Sequence, residues 1–209
     1  MPKETFFKLS EEKRRRILGA AGEEFTTVPY SEASINRIVK NAQIPRGSFY
    51  QYFEDKEDLF FYYMRQHGKF IMQTVSRGID ETGGDLFAAL HGFADRLLRI
   101  AYHGEHPKVR IILSDPWVFQ VMWNGIISPD QREWHRHTVQ KYTSKVWDHV
   151  DMSRLNLADS EVPYFGCILG SVLRDSVQEL FLDSEEKPEE TAATEFHGKI
   201  YSLERHYSR

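Results

Sequence analysis

The chain has 209 residues, of which 41% are hydrophobic and 28% are charged. These values are typical of a soluble globular protein of one or two domains, with a core large enough to fold without disulfides. A single cysteine excludes an intramolecular disulfide framework and favours a reducing compartment. The sequence has neither an apolar run of the roughly 18 residues that a membrane span needs nor a signal-peptide core. We therefore expect a cytoplasmic protein without a membrane partner.

The charge is unevenly distributed along the chain. Residues 1–56 carry ten Lys or Arg and eight Asp or Glu, a net charge of +2, whereas residues 57–209 carry 17 and 23, a net charge of −6. The N-terminal quarter is therefore the part that suits an acidic polymer such as a nucleic acid.

Three short helices are predicted in the N-terminal quarter. Apolar residues at helical spacing predict a first helix over Glu11–Phe25, with two glutamates in its first turn. Ser34 is the predicted N-cap of a second helix that reaches residue 42. A third helix is predicted over residues 45–52, with Pro45 at its first position.

The remainder of the chain is also predicted to be helical. The predicted helices cover residues 56–77, 86–103, 106–113, 116–125, 129–150, 160–182 and 188–207, and Asp55 is the expected N-cap of the first of them. No stretch alternates with period two over the length of a strand. The predicted fold is all-α, with a helix-turn-helix domain over residues 1–55 and a larger helical bundle over residues 56–209.

The second and third helices are joined by only two residues, which is typical of a helix-turn-helix. In DNA-binding versions of this motif the second helix enters the major groove. Phe49 and Phe53 are four residues apart and therefore share one face, which we expect to be buried. The other faces are predicted to meet DNA.

The predicted DNA-contacting residues are chemically suited to a duplex. Arginine donates bidentate hydrogen bonds to guanine, hydroxyl and amide groups bond bases or phosphates, and a lysine at a helix start attracts phosphate. Glycine in a helix interior costs roughly 1 kcal/mol relative to alanine, so its presence indicates a close approach to another molecule. The candidate residues are Ser34, Arg46, Gly47, Ser48, Tyr50, Gln51, Tyr52 and Lys56. No acidic residue occurs from Ala33 to Phe53.

Residues 14–64 resemble the DNA-binding region of the TetR family of transcriptional regulators. The matching segments are "ILGAAGEEF", "IVKNAQI" and "RGSFYQYFEDKEDLF", of which the last is the most specific. Gln43 stands where the family usually has glycine, so we expect a left-handed backbone conformation there. Pro45 stands where serine or threonine is commoner.

The resemblance implies how the chain would assemble and what it would bind. Arg46, Ser48 and Tyr50 would contact DNA in the groove, and Tyr52, Lys56 and Ser34 would contact phosphates. A homodimer would form through the last two helices, with interface candidates Gly166, Cys167, Gly170, Val177 and Phe181. A small-molecule effector would bind among aromatic and polar side chains, for which the candidates are Tyr102, His103, Trp117, Trp123 and His137.

Several features have simpler interpretations. Aromatic residues at helical spacing are more often ordinary core, and Cys167 among glycines is more often a small buried packing residue than a redox sensor. The histidine pairs do not have convincing metal-ligand spacing, so we expect no metal and no cofactor. The basic run over residues 13–16 contacts either solvent or the DNA backbone.

The sequence favours a ligand-responsive transcriptional regulator, most often a repressor in this family, that binds a palindromic operator as a homodimer and is released by an effector. An all-helical enzyme is the second hypothesis, but no phosphate loop, nucleophile elbow or metalloprotease motif supports it. A helical binding module that has lost DNA recognition is the third, and Arg46, Tyr50 and Lys56 argue against it.

Overall fold

The computed structural model describes residues 2–124, 145–182 and 187–209, with side chains described except at 67–74 and 122–124. The described chain forms two compact units, Met1–Ile71 and Met72–Arg209. The sequence-based division after residue 55 stays a prediction. Within the described ranges, no helix combines the length and apolar character that a membrane crossing requires.

The regular structure of the described residues is helical, which confirms the all-α prediction. The helices are α1 (Glu4–Phe7), α2 (Glu11–Phe25), α3 (Ile35–Asn41), α4 (Arg46–Tyr52), α5 (Lys56–Glu81), α6 (Leu86–Tyr102), α7 (Pro107–Leu113), α8 (Pro116–Asn124), α9 (Val162–Phe181) and α10 (Glu189–Tyr207). Two 3₁₀ turns lie at Tyr30–Glu32 and Met152–Arg154. The described β-pairing is one isolated bridge between Leu155 and Ser208.

Local signals explain where the N-terminal helices begin. The Ser10 side chain accepts a hydrogen bond from the Lys13 amide and caps α2, whose first turn carries two glutamates. Asp55 caps α5 as predicted, because its Oδ1 accepts the Asp58 amide at 2.8 Å. Pro45 is the N-cap of α4 and not its first residue, because its ψ of 143° is extended. The short helix α1 was not predicted.

The N-terminal unit is built around an aromatic and aliphatic core. Phe49 and Phe53 are fully buried, as their spacing predicts. Other buried residues of this unit come from the helices before and after α4: Phe6, Ile17, Phe25, Ile38, Leu59 and Phe60.

The turn between α3 and α4 is a Schellman motif built without glycine. The Ile44 amide donates to the Val39 carbonyl at 3.0 Å and the Gln43 amide donates to the Lys40 carbonyl at 3.1 Å. Gln43 has a φ of 53°, which confirms the expected left-handed conformation. Val39 and Ile44 are both buried, and they occupy the two positions between which a hydrophobic contact frequently accompanies this motif. Gln43 therefore bears the strain that a side chain meets at this position.

The C-terminal unit is a helical bundle with one continuous core. Asp85 caps α6 by accepting the Ala88 amide at 3.0 Å. The largest buried contributions come from α6, α8, α9 and α10: Phe87, Leu90, Leu97, Phe119, Phe165, Val177, Leu180, Phe196 and Ile200. Three aromatic residues of the predicted bundle are therefore core residues: Phe87, Phe119 and Phe165.

Some predictions on the C-terminal unit fall outside the described residues. Most of the predicted helix over residues 129–150 lies there, and so does His137. The side chain of Trp123 is also outside the description.

Replacing Gln43 with glycine tests the strain at the α3–α4 turn. We expect Gln43→Gly to raise the free energy of unfolding by about 1 kcal/mol, because glycine adopts a positive φ at little steric cost. Chemical denaturation measures this. Lys40→Gly, at an exposed position of α3, is the matched control and should instead destabilise by roughly 0.5–1 kcal/mol. A destabilised Gln43→Gly protein would contradict this interpretation.

Candidate nucleic-acid interface

Helix α4 presents one polar face to solvent. Arg46, Gly47, Tyr50 and Gln51 are exposed, and Ser48 is half-buried. Tyr50 is an exposed aromatic side chain at 42% of its full accessibility. Because Phe49 packs inward, the side chains of Arg46, Tyr50 and Gln51 are left for a ligand outside the subunit.

Tyr52 is not on this exposed face, so the prediction that it is exposed is wrong. Its side chain is 6% exposed, and its hydroxyl accepts a hydrogen bond from Lys13 Nζ at 3.2 Å. Phe6 lies against its ring at a centroid distance of 6.4 Å. Tyr52 therefore links α4 to α1 and α2 within the unit.

Gly47 lies on the exposed face with open space around it. A Cβ built at this residue would meet no heavy atom within 4 Å. The packing of the N-terminal unit therefore does not require glycine at this position, and close approach of DNA to Gly47 stays a prediction.

An N-terminal clasp, formed by Lys3, Thr5 and Phe6, holds the end of α4. The last carbonyls of a helix have no partner within it. Here the Lys3 ammonium donates to the Tyr50 carbonyl at 2.9 Å, the Thr5 hydroxyl donates to the Gln51 carbonyl, and the Lys3 amide donates to the Tyr52 carbonyl at 2.8 Å. The clasp thus satisfies three successive carbonyls of α4.

Phe6 anchors the clasp in the core of the unit. Its side chain is fully buried, 4.8 Å from the Phe53 ring centroid and 5.4 Å from that of Tyr62. Sequence analysis did not identify the clasp. The apolar pair Phe6–Phe7 ahead of the first predicted helix is the signal that could have indicated it.

A buried carboxylate on α2 fixes the start of α3. Glu24 is 7% exposed, and its Oε1 accepts the Ser34 amide at 2.7 Å and lies 2.6 Å from the Arg37 guanidinium. The Ser34 side chain itself makes no capping bond to α3. Ser34 is therefore the N-cap by backbone conformation, and Glu24 bonds its amide.

Two opposing influences set the pKa of Glu24. Burial raises it, but hydrogen bonds from Arg37 and from the Ser34 amide stabilise the carboxylate and leave the pKa below its ordinary value. A carboxyl group whose pKa is lower in the folded state stabilises the fold above its unfolded-state pKa. This stabilisation is lost as the pH falls through the folded-state pKa.

Lys56 is placed differently from the prediction. Its ammonium donates to the carbonyls of Tyr30 at 2.7 Å and Ala33 at 2.9 Å, and lies 4.3 Å from the Tyr30 ring centroid. Two carboxylates at the start of α5 accept hydrogen bonds from nearby backbone amides. Asp55 accepts the Asp58 amide, and Asp58 accepts the Glu54 amide. One amide at the start of α5, that of Asp58, is therefore already bonded, and Lys56 joins the start of α5 to the segment before α3.

The starts of α3 and α4 face one another across a groove of about 310 Å³. It is lined by Ala33, Ser34, Ile35, Asn36, Arg46 and Lys56. Three of the predicted DNA-contacting residues, Ser34, Arg46 and Lys56, thus meet at one place. The groove carries positive charge and no carboxylate.

The basic run over residues 13–16 is largely used within the unit. Arg14 donates to the Phe7 carbonyl at 2.9 Å and Arg16 donates to the Ala42 carbonyl at 2.9 Å. Lys13 bonds Tyr52, whereas Arg15 is exposed and lies 3.9 Å from Glu11. Three of the four side chains therefore tie α2 to the elements around it.

Two of the predicted effector residues, Tyr102 and His103, bond residues at and just before the start of α10. The Tyr102 hydroxyl donates to the Lys187 carbonyl at 3.0 Å, and His103 is exposed, 2.8 Å from Glu189. Trp117 is half-buried in α8. The effector site stays a prediction.

The predicted interface residues lie on two sides of α9. Cys167 is exposed, which corrects its interpretation as a buried residue, and Gly170 has open space around it. A Cβ built at Gly166 would lie 3.5 Å from the Trp147 ring, and Phe181 is half-buried against the core. Val177 is 3% exposed in that core, so placing it at a surface between subunits is wrong.

The geometry of the N-terminal unit is that of a helix-turn-helix domain, a class in which the second helix enters the major groove of DNA. It has a tight turn, a second helix with a buried aromatic face and an exposed polar face, and a basic groove beside its start.

Comparison with known proteins gives a family match over the N-terminal part of the chain. The model for bacterial regulatory proteins of the tetR family matches residues 17–63. The transcriptional regulator HbdR of Aromatoleum sp. (strain CIB) is 34% identical over 73 residues, 35% of this chain and 32% of that protein. The matched stretch thus spans about a third of this relative. Residues 17–63 of the chain are thus similar to the DNA-binding region of the TetR family of transcriptional regulators.

Solved structures share the fold over nearly the whole chain. A TetR-family regulator from Mesorhizobium loti is similar with a TM-score of 0.58 at 15% identity, covering 95% of this chain and 98% of that one. FadR from Bacillus subtilis, solved with stearoyl-CoA, is similar with a TM-score of 0.58 at 14% identity, covering 90% and 97%.

Replacing Glu24 with glutamine tests the buried carboxylate. We expect Glu24→Gln to lower the free energy of unfolding by about 1–2 kcal/mol at neutral pH, because it removes a charge-assisted bond to a half-exposed arginine. The loss should shrink as the pH falls below about 4.5, the ordinary pKa of a glutamate carboxyl, and should vanish below the lower folded-state pKa of Glu24. Denaturation at a series of pH values measures this.

Glu12→Gln is the matched control, since Glu12 is exposed on the same helix. It should change the free energy of unfolding by no more than about 0.5 kcal/mol. An equal loss at neutral and acidic pH for Glu24→Gln would show that its charge is not what stabilises the fold.

Proposed function

We propose that this protein is a ligand-responsive regulator that binds a palindromic operator as a homodimer, acts as a repressor in the cytoplasm, and is released by a small-molecule effector. The observation that carries the DNA-binding part is the exposed face of α4 with its adjoining basic groove. Arg46 lies at the first position of α4, and Gly47 next to it leaves room for a close approach.

The roles of the α4 side chains follow from their chemistry and exposure. Arg46 would donate a bidentate pair to guanine, which is the commonest base-specific contact in the major groove. Tyr50 and Gln51 would contact bases or phosphates beside it. Ser34 and Lys56, which line the groove together with Arg46, would lie beside the adjoining phosphate.

Dimer formation is supported by an exposed apolar strip on α9. Tyr164 is 73% exposed and Ile168 is 43% exposed, and Cys167 and Ser171 lie on the same exposed side. Exposed apolar side chains beside small residues favour burial against a second copy of the helix. Two copies related by a two-fold axis would place two α4 helices on half-sites that repeat as a palindrome.

Release by an effector would be a population shift. A molecule that binds one conformation of the dimer more tightly than the other changes the fraction that fits the operator. Only a difference in affinity between the two conformations has this effect. An effector would therefore reduce operator affinity without contacting α4.

Replacing Arg46 with alanine tests the base-reading role. On an operator-containing duplex we expect Arg46→Ala to cost about 1–3 kcal/mol of binding free energy and to relax the preference at one base pair of each half-site. The free energy of unfolding should hardly change, because Arg46 is exposed. Gel-shift titrations of genomic fragments over a salt series measure both affinity and salt slope.

Arg96→Ala, at an exposed arginine of α6, is the matched control and should leave DNA affinity unchanged. If the two variants bound every fragment equally well, the base-reading role of Arg46 would be disproved.

Replacing Gly47 with alanine separates stability from binding. We expect Gly47→Ala to raise the free energy of unfolding by up to about 1 kcal/mol, since alanine favours helix and the added methyl group meets open space. DNA affinity should fall, because that methyl group would lie between α4 and the duplex. Denaturation and gel shifts on the same preparation measure the two effects.

Gly92→Ala is the matched control, since Gly92 is an exposed helical glycine of α6 with open space around it. It should stabilise similarly and leave DNA affinity unchanged. Unimpaired DNA binding by Gly47→Ala would show that the duplex does not approach α4 closely at this point.

A further inference from the structure

The last carbonyls of α4 are bonded from outside the helix. The Phe53 amide closes the helix by donating to the Phe49 carbonyl at 2.9 Å, and the next amide, that of Glu54, donates to the Asp58 carboxylate. The carbonyls of residues 50–52 therefore come after the last hydrogen bond of the helix, where no helical amide is left to reach them. The N-terminal clasp supplies one donor to each of these three carbonyls.

Two of the residues that the clasp bonds are also residues of the exposed face. Tyr50 accepts the Lys3 ammonium at 2.9 Å and Gln51 accepts the Thr5 hydroxyl, while the side chains of Tyr50 and Gln51 are exposed. A carbonyl and a side chain of one residue are joined through the same backbone, so fixing the carbonyl also fixes the direction in which the side chain leaves the helix. The clasp therefore acts on the orientation of two side chains that it does not touch.

The first turn of α4 is held by other contacts. Arg46 follows Pro45, whose carbonyl accepts the Ser48 amide at 2.9 Å, and Phe49 in the middle of the helix is fully buried. Gly47 lies between these two supports and lowers the intrinsic stability of the helix. The two ends of α4 thus have separate supports, and only the end that carries Tyr50 depends on the clasp.

We propose that Lys3 and Thr5 are positioning residues that determine the base preference of the last turn of α4. The inference rests on the proposed DNA-binding function and deepens it. With the clasp in place, Tyr50 and Gln51 are held in one geometry relative to Arg46, so both ends of the helix can bind the duplex together. Without its hydrogen bonds the last turn frays, and the cost of ordering it is then added to the cost of binding DNA.

The test uses the full chain with Lys3→Met or Thr5→Val, each of which removes one clasp hydrogen bond and keeps the buried Phe6. The probe is a duplex selected from random sequences by the wild-type protein, together with duplexes in which each of its base pairs is changed in turn. We expect either variant to weaken binding of the selected duplex by about 3- to 10-fold. The preference should be retained at the base pair that Arg46→Ala relaxes, and it should be reduced at the other preferred base pairs of the half-site.

Two further variants and one further measurement separate positioning from general effects. Thr5→Ser keeps the hydroxyl group and should retain the wild-type base preference. Lys8→Met removes the same charge from the same segment, but Lys8 pairs with Glu4 at 2.8 Å, so this variant should leave the base preference unchanged. Hydrogen exchange of the Phe53 amide should be faster in the clasp variants, whereas that of the Ala42 amide, which ends α3, should not change.

The outcomes distinguish this inference from the function on which it rests. Clasp variants with the wild-type preference at every base pair would overturn the inference and leave the proposed function standing. An equal loss at every base pair, including the one that Arg46→Ala relaxes, would also overturn it, because the clasp would then only stabilise the unit as a whole. A wild-type protein that binds no duplex would overturn the proposed function and this inference with it.

Discussion

The position of α4 depends on burial of its aromatic face, because a helix of seven residues cannot hold itself in water. Phe49 and Phe53 supply that burial, and the N-terminal clasp completes it by covering the last carbonyls of the helix. The buried rings and the clasp have different effects on α4. The two rings fix which face points outward, whereas the hydrogen bonds from Lys3 and Thr5 fix where the helix ends. The polar face is exposed because the opposite face is fully occupied.

Charged groups within the same unit serve mainly to position the motif. Glu24 bonds the Ser34 amide, Lys56 bonds the carbonyls before α3, and Arg16 bonds the Ala42 carbonyl at the end of α3. The beginning and the end of α3 are thus each tied to another element. Basic residues near the groove therefore have two separate roles: some hold the helix-turn-helix together, and Arg46 projects from it.

Sequence reasoning located most of the fold because helices follow from local spacing. The bounds of α2 and the inward direction of Phe49 and Phe53 were predicted correctly, and the left-handed backbone of Gln43 followed from comparison with the family pattern. Tyr52 was misplaced, because its burial depends on Phe6, 46 residues away in the chain. The roles of Lys56 and Glu24 were missed for the same reason, since the carbonyl and amide groups they bond belong to other elements.

The C-terminal unit was less predictable, because helical spacing does not say which helices meet. Motif spacing does not predict the pairing of His91 with His197, because the two residues are 106 positions apart in the chain. Val177 was predicted at the dimer interface, but it lies on the side of α9 that faces the core of the C-terminal unit. Cys167 was read as buried because its neighbours are small, yet it lies on the exposed side of the helix.

The central claim is that two copies of the exposed face of α4 read successive major grooves of a duplex. Selection of random duplexes on the purified full-length protein tests this most directly. The account predicts recovery of a palindrome whose half-sites lie one helical turn, or a multiple of it, apart, with conserved guanines within each half-site. Recovery of no common sequence at low ionic strength, where phosphate contacts are strongest, would contradict it.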